Sequence, residues 1–155
     1  ATNIMPVPVH REMAGGKPLN AIQIQENTAA VHAAWRLHAD HIRHSLRHAY
    51  YQGWDLHPAQ LITRYATLFD FFLPELDAAT LRLKNFVAKA AQATLSGDVF
   101  DDAATGRGLL NYFRLAYNCS AIDAADVEAA GLTVAELTGG AGSDSSPWLQ
   151  MLNKV

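Results

Sequence analysis

Cysteine occurs once in the 155 residues, as Cys119, so an internal disulfide is excluded and the chain suits a reducing, cytoplasmic setting. Long apolar runs are missing too. No stretch of about 18 apolar residues occurs, which argues against a membrane-spanning helix. No charged stretch followed by an apolar one opens the sequence, so a secretory leader is not expected. Positive charge is scarce: 12 Lys and Arg against 15 Asp and Glu leave a net charge of −3. Nucleic-acid binders usually carry a basic face, and this balance argues against one. No internal repeat is visible. Half of the residues are apolar, enough to build the core of one domain. Cys119 sits in an apolar stretch without a Cys/His or Ser/His/Asp arrangement around it, and reads as a core thiol.

The rest of the chain is organised around Tyr50 to Phe72, YYQGWDLHPAQLITRYATLFDFF. Pro58 suits the first turn of a helix, where its missing N–H costs nothing. Asp55 or His57 can cap the free amides ahead of it. Leu61, Ile62, Tyr65, Leu68, Phe69 and Phe72 then recur at helical spacing and predict an apolar buried face. The turn is therefore expected to be a hinge between two packed helices, with Asp55, His57 and Gln60 close together.

Upstream, a helix is predicted from Asn27 or Thr28, as N-cap, to Tyr51, closed by Gly53, with Val31, Trp35, His38, Ile42, Leu46 and Ala49 as its buried stripe. His41, His44 and His48 lie three and four residues apart on its flank. Two imidazoles one turn apart can share a zinc or nickel ion, but no HExxH glutamate accompanies them; half-exposed residues bordering the core are the plainer reading. The opening segment ATNIMPVPVH predicts an edge strand, since Pro6 and Pro8 remove ladder donors. A lone strand needs a sheet from elsewhere, so the sequence is expected to be incomplete. Residues 11–20 read as a loop.

Downstream, Pro74 is expected to break the chain and Asp77 to cap a helix reaching Ser96, with Leu81, Phe86, Val87 and Ala90 inward. Asp98 to Gly108 reads as an acidic loop, either a solvated turn or an oxygen-rich cation site without EF-hand spacing. A helix follows from Leu109 to Ala121, with Leu110, Phe113, Ala116 and Tyr117 on one face. Asp123 opens a short helix ended by Gly131, and Thr133 with Glu136 forms a capping box for another, closed at Gly139-Gly140. GGAGSDSS is a linker by composition, and Trp148, Leu149, Met151 and Leu152 form an apolar terminal turn expected to dock.

The hinge GWDLHPAQ, Gly53 to Gln60, resembles the G-x-x-x-I-H-P-x-Q segment of the HpcH/HpaI aldolase and citrate lyase β-subunit-like superfamily. GDVFDDAATGRGLLNYFRLA, Gly97 to Ala116, resembles that family's lid segment, and ATNIMPVP a late barrel strand. The resemblance covers the C-terminal part of such a protein. It implies a mainly α chain, an antiparallel helical C-terminal portion of a (β/α)8-barrel lyase with a short N-terminal edge strand. Residues 1–57 would be the last strand and helix of the barrel, 58–140 the helical extension or lid, and 141–155 a linker and docking turn.

It further implies magnesium-dependent carbon–carbon bond chemistry on 2-oxo acids or acyl-CoA thioesters, in homo-oligomers or together with the barrel portion. Asp55, His57 and Gln60 would hold the hinge, while Asp101 and Arg107 would be lid residues. The magnesium ligands would come from earlier strands. Aligning Asp101 with the first lid aspartate puts Gly106 where relatives carry an acid/base aspartate, which favours a free 2-oxo acid. Two other readings stay open: a non-catalytic, self-associating helical module, and a metal-binding helical protein using His41, His44 and His48.

Overall fold

The computed structural model describes residues 4–12, 15–51, 55–96 and 103–139, with the side chains of 93–96 and 103 outside the description. Six α-helices and one 3-10 turn account for the regular structure among them: α1 Ala21–Arg47, α2 Pro58–Phe72, the turn Leu73–Glu75, α3 Leu76–Ser96, α4 Ala103–Asn118, α5 Ala124–Ala129 and α6 Val134–Thr138. The chain is mainly α. The linker and terminal docking turn expected over 141–155 lie outside the described residues. No helix is long and apolar enough to cross a membrane, among the described residues. The chain divides into two compact units, Ala1–Leu68 and Phe69–Val155.

In the first unit, α1 begins six residues or more ahead of the predicted start. Asn20 is its N-cap: the side chain accepts from the Gln23 amide at 2.9 Å, and Gln23 Oε1 accepts from the Asn20 amide at 3.0 Å. Asn27, the predicted cap, has another task. Its amide group clamps the backbone of His10, accepting from His10 N at 2.7 Å and donating to His10 O at 3.0 Å. The helix also ends early, at Arg47, where Ala49 turns into the left-handed region at φ 59°. Of the predicted buried stripe, His38, Ile42 and Leu46 are buried, Val31 and Trp35 are half-buried, and Ala49 is exposed.

No strand forms at residues 4–12; the segment is irregular, with Pro6 buried. Prolines 6 and 8 withhold two donors, and side chains from the helices bond this backbone at Ile4 and His10 instead of a neighbouring strand.

The predicted apolar face of α2 holds only at its end, where Phe72 is buried and Leu68 and Phe69 are half-buried; nearer its start the expectation is reversed. There the buried residues are Gln60, Thr63 and Thr67, whereas Leu61, Ile62 and Tyr65 are 43%, 64% and 48% exposed. Two stripes at helical spacing run along this helix, one polar and one apolar, and periodicity alone does not say which one meets α1. The polar stripe is the buried one, and two of its three side chains, Gln60 and Thr67, find backbone partners. Thr67 donates to the Thr63 carbonyl at 2.7 Å, and Gln60 makes three bonds described below.

The second unit has an apolar core. Pro74 breaks the helical run as expected: α2 stops at Phe72, and the 3-10 turn Leu73–Glu75 leads into α3, where Asp77 falls in the first turn rather than at a cap. The buried residues of α3 are Ala79, Leu83, Phe86 and Ala90, spaced four, three and four, while the predicted Leu81 is 61% exposed. They pack with Leu109, Leu110, Phe113 and Ala116 of α4, which starts at Ala103, inside the predicted loop. Full burial of a side chain such as Phe113 is worth about 2–3 kcal/mol. Tyr112 stacks edge-on with Phe72 and donates its hydroxyl to the Phe72 carbonyl at 2.5 Å. Burial first, and Glu75 second, push that hydroxyl's pKa up to about 12.

The short helices match expectation. Asp123 with Asp126, and Thr133 with Glu136, form capping boxes, and Gly131 and Gly139 follow at φ 85° and 73°. Val127, Ala130, Leu132 and Leu137 are buried, and Arg114 Nε holds the Leu137 carbonyl at 2.7 Å. Cys119 is half-buried just past α4, its thiol donating to the Ala116 carbonyl at 3.3 Å. Burial raises its pKa and disfavours the thiolate, but the residue lies at the edge of the core rather than inside it as expected.

Candidate functional site

The chemistry-bearing side chains of the first unit gather at the start of α2. Pro58 opens the helix, and His57 is the residue before it; His57 Nδ1 accepts from the Ala59 amide at 3.1 Å. Gln60, completely buried, reaches back so that its Oε1 accepts from the amides of Leu56 at 2.7 Å and His57 at 3.0 Å. Its Nε2 donates to the carbonyl of Ile4 at 2.7 Å, across 56 residues of sequence. In His-Pro-Ala-Gln the histidine side chain caps the second helical amide, proline stands where no donor is needed, and glutamine returns to the amide of the histidine. One side chain joins the opening segment, the turn and the helix.

Asp55 does not cap. Its carboxylate accepts from Arg64, two turns along α2: Nε lies 3.0 Å from Oδ2 and 3.3 Å from Oδ1, and an Nη lies 3.2 Å from Oδ1. His38 Nε2 of α1 stands 3.5 Å from the same Oδ1, too far for a strong hydrogen bond. His38 is buried, and Nδ1 has no partner among the described residues. Burial lowers its pKa first, the Arg64 charge second, and Asp55 opposes both. Around neutral pH His38 is therefore uncharged beside a neutralised Asp55–Arg64 pair. A cavity of about 180 Å³ adjoins that pair, lined also by Ile42, Ser45, Tyr50 and Tyr51. The arrangement holds geometry; with both Asp55 oxygens engaged by a guanidinium, it is not set up for proton transfer.

Gln60 and His57 are joined through the His57 amide, whereas the Asp55 carboxylate turns to Arg64 and His38. Asp101 lies outside the described residues. Arg107 is exposed on α4, in the second unit. His41, His44 and His48 do not converge: His44 and His48 rings sit 4.3 Å apart, and His48 Nδ1 bonds the His44 carbonyl at 2.7 Å. No group of three His, Cys, Asp or Glu side chains is placed to hold a metal, among the described residues. His38 and Arg64 were missed as site members. Each has a usable signal: a histidine inside an apolar stripe, and an arginine nine residues past an aspartate across a proline-started helix.

Residues 1–144 match the model of DUF6986, a domain of unknown function. The chain belongs to the DUF6986 family. That match takes in the opening segment, the hinge and every helix described in this DUF6986 chain, so the Gln60-centred turn lies inside the family's own domain. No curated protein and no solved structure matches the chain.

Proposed function

We propose that this chain is the mainly helical C-terminal portion of a carbon–carbon lyase of the HpcH/HpaI aldolase and citrate lyase type, cytoplasmic and acting on a 2-oxo acid or an acyl-CoA thioester. In this reading residues 1–57 belong to the barrel end and 58–140 to the extension. The observation that carries it is the Gln60 junction: a fully buried side chain gripping the Ile4 carbonyl and the hinge amides together. Such a junction suits a fixed corner between a barrel's last segment and a helical extension. The part played here is positioning, with the reacting groups held elsewhere.

The described residues do not fit a magnesium ion. Asp55 is taken by Arg64, and no three ligating side chains meet among them. In this reading the ion's ligands lie outside these residues, which take no part in a step at the metal. Its test is cleavage of a panel of 4-hydroxy-2-oxo acids and 3-hydroxyacyl-CoA esters by the gene's full product with magnesium, read as pyruvate or acetyl-CoA release. Turnover abolished by EDTA and restored by magnesium is expected. A folded product inert toward the whole panel would overturn the reading.

A second reading has its own observation. The outward stripe Leu61, Ile62 and Tyr65 favours a non-catalytic helical module that associates with copies of itself. Sedimentation of wild type against Tyr65→Glu decides it: loss of an oligomer supports the module, and a monomer in both removes it.

A further inference from the structure

Residues 4–10 are held by the first unit as a peptide ligand is held. The segment forms neither helix nor strand, and side chains of α1 and α2 grip its main chain at both ends. Gln60 Nε2 donates to the Ile4 carbonyl at 2.7 Å, while Asn27 accepts from His10 N at 2.7 Å and donates to His10 O at 3.0 Å. A primary amide that takes both the N–H and the C=O of one residue reads backbone rather than side chain. Two side-chain features complete the fit. Pro6, between the grips in sequence, is buried, and His10 Nε2 meets Glu26 at 2.6 Å. Met5, Pro8 and Val9 are exposed.

The covalent link to α1 adds little to these bonds. Residues 11–19 join His10 to the N-cap Asn20, with Gly15 in the left-handed region at φ 76° and Gly16, Lys17 and Pro18 exposed. Glu12 holds the Leu19 amide at 3.3 Å, a long bond. A short linker of this kind gives its segment an effective concentration on the order of 1 mM, and extended it reaches about 30 Å. We propose that Gln60, Asn27 and Glu26 form a peptide-docking site that also takes residues 4–10 from a second copy, so that two chains exchange their opening segments. The exchanged segment makes the same bonds across the pair, and a two-fold arrangement fills both sites at once. Exchange requires neither functional reading above, and its test reads no turnover.

A capped peptide of residues 4–10, IMPVPVH, is the probe, and the side-chain amide resonances of Asn27 and Gln60 are the reporters. Pro6→Asp in the full chain vacates the site by placing a charge where the proline is buried. The peptide should then shift both resonances saturably, at least about tenfold more tightly than in wild type, where the chain's own segment competes. Adding Asn27→Leu removes two hydrogen bonds and should weaken binding about tenfold. A peptide with aspartate in place of Pro6 should not bind. Deletion of residues 12–18 is the second arm. Arg11 and Leu19 alone cannot cover the rise of about 10 Å from Asn20 to Asn27 together with the reach of the Asn27 side chain, so this variant should sediment as a dimer that Tyr65→Glu leaves intact. A folded Pro6→Asp chain that ignores the peptide, binding unchanged by Asn27→Leu, a monomeric deletion variant, or a dimer lost with Tyr65→Glu would overturn the proposal. Should Pro6→Asp lose its helical circular dichroism, the deletion variant decides alone.

Discussion

Replacing Asp55 by asparagine keeps the volume of the side chain and removes its charge. Arg64, with its side chain 18% exposed, would lose its counter-ion beside buried His38. Breaking one partner out of a fully buried ion pair costs about 3–5 kcal/mol. Water reaches this pair, since Asp55 is itself 14% exposed, and the asparagine oxygen still accepts one bond from Arg64. Both effects discount the cost to roughly 2 kcal/mol. Melting should fall by about 4–8 °C, at about 2–4 °C per kcal/mol for a chain of this size. The assay is thermal and urea unfolding of a double-mutant cycle: Asp55→Asn, Arg64→Met and both together. The double variant should be more stable than the sum of the singles implies, by about 1.5 kcal/mol or more. His38 offers a separate readout, because Asp55 is the group that raises its pKa against burial, Arg64 and His41. In Asp55→Asn its titration midpoint by NMR should move further down. A cost under about 0.5 kcal/mol with no coupling, or a midpoint that rises, would refute the reasoning.

Gln60→Met strips two amides and a carbonyl of their buried partner and should cost about 3 kcal/mol, with faster amide exchange at Leu56 and His57. Gln60→Glu keeps the acceptors, loses the donor to Ile4, and should fall between the two. For His38 the folded pKa lies below 6.5, so the unfolded chain takes up the proton first as pH drops. Its contribution is complete above pH 6.5 and is lost as pH falls through the folded value; urea midpoints across that window should decline less in His38→Gln than in wild type. Two glycines should respond oppositely to alanine. Gly139, at φ 73°, loses about 1 kcal/mol, whereas Gly108, inside α4 with open space at its Cβ position, gains about 1 kcal/mol in thermal melts.

What was readable in advance was what a few neighbouring residues decide. Pro58 starts α2, Asp123 and Thr133 cap α5 and α6, and Gly131 and Gly139 stop them, because each signal closes within about four residues. Asn20 and Asn27 are equally good caps on paper. Asn20 is the cap because Gln23 returns its bond, and Asn27 is drawn to His10 by a contact 17 residues away. Leu83 rather than Leu81 entered the core of the second unit for a similar reason: the face that meets α4 is chosen by α4. The hinge was visible, but the roles within it were not. Asp55 pairs with Arg64 and His38, nine and 17 residues away, and such partnerships appear in no local window.

The bond from Gln60 to Ile4 has a consequence for the order in which the chain assembles. Bringing together ends separated by 56 residues costs on the order of 3 kcal/mol in chain entropy, more than one hydrogen bond returns. That contact forms once α1 and α2 already hold the backbone near its final course. The Ile4 bond then latches the opening turn of α2 to the segment ahead of α1, while the turn's own bonds, among Leu56, His57, Ala59 and Gln60, close within four residues. Its amides report whether the residues before α1 have found their place, and proteolysis within that segment would loosen a helix start more than fifty residues downstream.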